Sequence, residues 1–184
     1  MITHELRITE TGSPLRLLIL DGNDPVDMAS YTAKVYGLEE DGDAWITEGT
    51  TGITEHPTQT FTAVAASNRL ICNGHKYTEN QQVIVSSTTT LPGGLTAATR
   101  YYCRNVTPND FNLSERPNGP AIDIASTGTG THSIYGVGVV QYDFQSGDVD
   151  TVGNYRLEMR LYDGSDRPRF TQTIRVVVKD MDAI

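Results

Sequence analysis

Hydrophobic and polar positions alternate with a period of two in several short runs, the spacing that gives a strand one buried and one solvated face. Tyr31-Thr32-Ala33-Lys34-Val35-Tyr36 has this pattern. Tyr155 to Tyr162 sets Tyr155, Leu157, Met159 and Leu161 on one face and Arg156, Glu158, Arg160 and Tyr162 on the other. Val137 to Phe144 alternates well enough for a half-buried strand. Leu15 to Leu20 is the most apolar run, and it ends at Asp21-Gly22-Asn23-Asp24-Pro25, a dense turn signal. Asp41-Gly42-Asp43 turns the chain before Ala44-Trp45-Ile46-Thr47. Asp163-Gly164-Ser165 starts a turn between the Tyr155 run and a returning strand from Phe170 to Val178, which predicts a hairpin. A lone hairpin is barely stable in water, so this one needs a larger sheet. Helical spacing is not sustained over ten residues anywhere, and the expected fold is all-β.

Between Phe61 and Tyr135 the composition shifts toward Ser, Thr, Asn and Gly, and the strand signals shorten. Arg69 to Cys72, Gln82 to Ser86, Arg100 to Asn105, Asp110 to Ser114 and Ala121 to Ala125 are the expected strands there. Leu91-Pro92-Gly93-Gly94-Leu95 and Pro117-Asn118-Gly119-Pro120 are firm turns, and the glycines of Ser126 to His132 fit a tight turn. The segment 61–135 therefore reads as a small β module inserted into an outer domain made of 1–60 and 136–184, an arrangement that close termini make tolerable. Asp150, Gly153 and Tyr155 precede the long hairpin in the manner of the tyrosine corner of an immunoglobulin-like sandwich. The predicted architecture is an immunoglobulin-like β-sandwich with a small inserted β domain.

Charge narrows the partners. The 184-residue chain carries 14 Lys and Arg against 23 Asp and Glu, a net charge of −9. Such a chain repels phosphate backbones, and Arg167, Arg169 and Arg175 sit in a strand-turn-strand pattern, so nucleic acid is not an expected partner. No apolar run reaches the roughly 20 residues that span a bilayer, and Met1 to Arg7 lacks the order of a secretory signal. Folding in a cytosol without membrane association is the expectation.

Candidate chemistry is sparse. His4, His56, His75 and His132 lie far apart without metal-ligand spacing and read as surface residues. Asp148 with Asp150, and Asp163 with Asp166, lack the regular oxygen array of a calcium loop and read as turn acids. Glu39-Glu40-Asp41 and Glu115 offer carboxylates with no recognisable acid–base pairing. Gly128-Thr129-Gly130 lacks the Lys and the helix of a phosphate loop, and no serine sits in a nucleophile elbow. Cys72 and Cys103 lie in strand-like runs and read as buried thiols, while a disulfide between them would need neighbouring strands and an oxidising setting. The expectation is a protein that is not an enzyme and has no metal, cofactor or catalytic residue.

Two sets of residues resemble tailed-phage modules. Leu17 to Asp27 with the strand Tyr31 to Tyr36, then Val140-Gln141-Tyr142-Asp143-Phe144, Asp148 to Tyr155 and the Tyr155–Val178 hairpin, resemble the N-terminal domain of phage upper-baseplate proteins. Within the insert, Asn73 to Val83, Leu91 to Leu95, Thr99 to Cys103, Asn109 to Ser114 and Gly128 to His132 follow the order of a phage tail-protein β repeat module. The resemblance implies a structural virion protein with an immunoglobulin-like anchoring domain. Its partners would be tail, baseplate or neck subunits, and it would assemble as a homo-oligomer in a symmetric ring. The family usually continues into an arm that carries receptor-binding subunits, whereas this chain ends at Ile184, which favours an adaptor or decoration role. The runner-up is a host-surface module that binds glycan or receptor through insert loops. His75 and Tyr77, in a polar stretch, are the candidate ligand-facing residues, and Tyr101, Tyr102, Phe111 and Tyr135 read as core.

Overall fold

The computed structural model describes residues 2–7, 14–28, 31–39, 44–49, 52–55, 57–145, 148 and 151–179. The fold is all-β with several antiparallel sheets, and the chain divides into two compact units, Met1–Glu55 with Gly138–Ile184, and His56–Val137.

In the outer unit a five-stranded sheet runs β1(Ile2–Arg7), β16(Pro168–Lys179), β15(Gly153–Asp163), β5(Tyr31–Glu39), β6(Ala44–Gly49). Its pairs are antiparallel except β1 with β16, where Ile2 lies opposite Ile174 in a parallel ladder. A three-stranded sheet runs β2(Leu15–Leu18), β14(Val139–Tyr142), β7(Ile53–Glu55), and β3(Leu20–Asp21) pairs with β4(Asp24–Pro25). Both larger sheets feed one apolar cluster. Ala33, Val35, Leu157, Met159, Leu161, Ile174 and Val176 come from one, and Leu15, Leu17, Val140 and Tyr142 from the other. Period-two burial along β15 and β16 is what the alternating sequence dictates. The opposite face of β15 and β5 is a polar–aromatic ladder. Lys34 Nζ lies 4.4 Å from the Tyr162 ring centre, the Arg160 guanidinium 4.2 Å from that of Tyr36, and the two tyrosine hydroxyls are 2.6 Å apart.

The inserted unit is a ring of six strands closed on itself in the order β10(Gln82–Ser87), β11(Arg100–Arg104), β12(Asp110–Ser114), β9(Arg69–Ile71), β8(Gln59–Val64), β13(His132–Gly136). Every pair in it is antiparallel. Leu70, Val83, Val85, Cys103, Phe111, Leu113 and Ile134 fill its interior. Outside that core, the abundant asparagines hold the turns. Asn68, Asn80, Asn105 and Asn118 all take positive φ, a conformation Asn tolerates better than most residues. Asn80 and Asn118 also bond each other, at 3.1 Å and 2.8 Å. Glu79 ties this cluster to Arg104 and accepts from the Asn105 and Val106 amides.

Two expected strands are altered. The run Val137 to Phe144 is broken at Gly138, where φ is +72°, so that β13 belongs to one unit and β14 to the other. Ala121 to Ala125 is not a strand, because its amides go to separate acceptors. Ile122 donates to the Leu113 carbonyl, Ile124 to the Asn68 side chain and Ala125 to the Gly93 carbonyl, so no single ladder forms.

Gly128 has φ +70°, and a Cβ there would lie 2.5 Å from the Thr90 carbonyl oxygen. Gly128→Ala is therefore expected to destabilise the inserted unit by about 1–2 kcal/mol or more, read from the urea midpoint. Gly164→Ala, whose Cβ meets nothing within 4 Å, is the control. Equal midpoints for the two variants would contradict the strain argument.

Candidate functional site

The corner residues lie at the start of β15. Gly153 opens the strand, and the Tyr155 ring folds back so that a Cβ on Gly153 would come within 3.3 Å of it. The Tyr155 hydroxyl donates to the Thr151 carbonyl at 2.8 Å, which closes the bend onto its own backbone. Asp150 lies outside the described residues. Asp148 is engaged within its own bend, accepting from the Tyr142 hydroxyl at 2.5 Å and from the Gln145 amide at 2.7 Å. Burial first, and then this bond to Asp148, push the Tyr142 phenol well above its ordinary range. Asp163 caps the hairpin turn, accepting the Ser165 and Arg167 amides and the Arg169 guanidinium. Those bonds, led by Arg167, hold its carboxyl below the usual carboxylate range. Asp166 reaches Lys34 at 3.0 Å. No group of three His, Cys, Asp or Glu side chains that could hold a metal is found among the described residues.

His75 and Tyr77 are not on an exposed loop surface. Both rings are buried in the closed ring of strands, stacked at 5.4 Å and each edge-on to Phe111. Two bonds allow it: His75 Nδ1 accepts the Tyr77 amide at 3.2 Å, and the Tyr77 hydroxyl donates to the Ile134 carbonyl at 3.3 Å. With these polar atoms bonded, the aromatic bodies can join the core. His132 is also buried rather than on the surface, with its ring nitrogens 3.0 Å from Ser87 Oγ and from the Thr127 carbonyl. His4 lies in β1, while His56, Glu40 and Asp41 lie outside the described residues. Cys72 and Cys103 are both buried thiols, and burial pushes the Cys103 thiol far above its ordinary range.

The principal recess of the inserted unit is elsewhere, and the sequence reading missed it. A cleft of about 740 Å³ lies along β8 between the end of β9 and the Thr127–His132 segment. Its lining includes Gln59, Thr60, Thr62, Asn73 and Thr131, with the core residues Phe61 and Ala63 and the half-buried Ile71 also bordering it. No Asp, Glu, Lys or Arg lines it, although 20% of the chain is charged. One wall is fixed by the Thr90–Thr129 bridge, by the His132 bond to Thr127, and by Gly130, where a Cβ would approach the Thr88 hydroxyl to 2.6 Å. These residues come from three separate segments of chain, so no local motif announces them.

Comparison with family models, with curated proteins and with solved structures finds no match.

Tyr155→Phe removes the corner hydrogen bond and leaves the ring in place. It is expected to cost about 0.5–1.5 kcal/mol in urea unfolding, and no loss would show that the bond to Thr151 contributes nothing net. His75 gives a pH prediction. Burial holds its imidazolium below the ordinary range, against the opposing pull of the Asp110 and Thr107 backbones. The unfolded chain therefore takes up a proton below about pH 6.5 that the folded chain resists, so stability is full above that value and declines as pH falls beneath it. His75→Phe is expected to reduce the drop in Tm between about pH 7.5 and about pH 5. An undiminished drop would assign the effect to other groups.

Proposed function

We propose that this chain is a structural subunit of a tailed-phage virion, an immunoglobulin-like anchoring sandwich that carries an inserted β module and docks to neighbouring tail, baseplate or neck subunits. The observation that carries this reading is the agreement between the two resemblances and the two units. The residues resembling the upper-baseplate N-terminal domain, within 17–36 and 140–178, lie in the outer unit, and those resembling the tail-protein repeat, within 73–132, lie in the inserted unit.

Strand order supports the sandwich. With β2, β5, β6, β7, β14, β15 and β16 taken as strands B, C, C′, D, E, F and G, one sheet reads B-E-D and the other G-F-C-C′. That order is in keeping with an immunoglobulin arrangement, and the bond from Tyr155, near the start of strand F, back to Thr151 supports reading it as a tyrosine corner. The insert then occupies the D–E connection. Docking would use the sheet edges. β1, β6, β2 and β7 each have one partner strand among the described residues, and Leu18 and Leu20 beside one such edge are each 43% exposed. Repetition around a symmetric ring multiplies contacts that are individually modest. A second reading, a host-surface binding module, is favoured by the uncharged cleft of the inserted unit.

Electron microscopy and quantitative mass spectrometry of purified particles test the proposal. The chain is expected in fixed multiple copies, arranged as a ring that contacts other subunits through the outer unit. Deleting the outer unit is expected to stop assembly. Intact particles that lack the protein would overturn the structural reading.

A further inference from the structure

From its lining, we propose that the cleft along β8 is a binding site for a neutral saccharide. Its chemistry is one-sided in a chain that is otherwise strongly acidic: the lining offers amides and hydroxyls, with no Asp, Glu, Lys or Arg side chain. Threonine hydroxyls and the Gln59 and Asn73 amides can each donate and accept, which matches the dual character of sugar hydroxyls. An anionic ligand would meet no cation here, and a cationic one no carboxylate.

The site is also preformed. The wall at Thr127 to Thr131 is held by backbone bonds of 2.9 Å and 3.1 Å between Thr90 and Thr129, so little ordering would accompany binding. About 740 Å³ lies within the range of small-ligand clefts. Saccharide binding deepens the second reading above, on which it rests, and moves the ligand from the His75–Tyr77 stretch to the cleft along β8.

The purified full chain would be applied to an array of neutral, sialylated, sulfated and phosphorylated oligosaccharides, with free monosaccharides as a separate arm. The neutral oligosaccharide bound best would then be titrated into the ¹⁵N-labelled protein. Neutral sugars are expected to be retained over anionic ones, with shifts at the amides of Thr60, Thr62, Asn73 and Thr131. Retention of oligosaccharides alone assigns the cleft to a surface polysaccharide, and retention of both arms to a soluble sugar. Thr62 is exposed on β8 and lines the cleft, so Thr62→Lys is expected to fold normally and bind at least about ten-fold more weakly, about 1.4 kcal/mol. Asp123→Lys, on an exposed residue outside the cleft, should bind as the parent does. No retention of any neutral sugar, preference for anionic ones, or shifts that map away from β8 would overturn the assignment. Because the isolated protein is used, that failure would leave the presence of the chain in particles as a separate result.

Discussion

The pairing of β7 with β14 is the constraint on which the two-unit organisation depends. It sets Val140 directly opposite Glu55, so the outer sheet holds the two ends of an 82-residue excursion side by side. Inserting a folded unit there costs the outer sheet only loop closure, which grows by about 0.6 kcal/mol for each doubling of loop length. β7 is three residues long and would be a weak support by itself. Its anchor is the Glu55 carboxylate, which accepts the Ala33 amide of β5 at 2.7 Å and so joins the three-stranded sheet to the five-stranded one. The inserted unit repeats the device. β8 pairs with β13, with Gln59 opposite Ile134, so its first and last strands are also neighbours.

What could be read from the sequence follows from which forces are local. β15 and β16 are legible because the buried face, the solvated face and the Asp163 turn are each written in adjacent residues. The core side of the inserted strands is legible for the same reason, as Val83 and Val85, or Tyr101 and Cys103, stand two apart. Ala121 to Ala125 has the composition of a strand, yet composition does not say whether one neighbour will accept all its amides, and here three do. His75 reads as polar because its burial depends on the Tyr77 amide and on packing against Phe111, which is 36 residues further along the chain. The cleft was the least legible feature. Gln59, Asn73 and Thr131 meet only after the ring of strands has closed.

The two units differ in the property that matters most for assembly. In the inserted unit each strand has two neighbours, and closure leaves no strand at the end of a sheet. In the outer unit β1, β6, β2 and β7 each end a larger sheet among the described residues, with a row of backbone donors and acceptors on the far side. Strand addition by a partner is therefore more open to the outer unit than to the inserted one. Recognition by the inserted unit has to use side chains in a recess, which suits a small ligand better than a second sheet. On the proposed reading, anchoring and ligand capture fall on separate units for a topological reason, and the β7–β14 pair is the place where one chain can carry both.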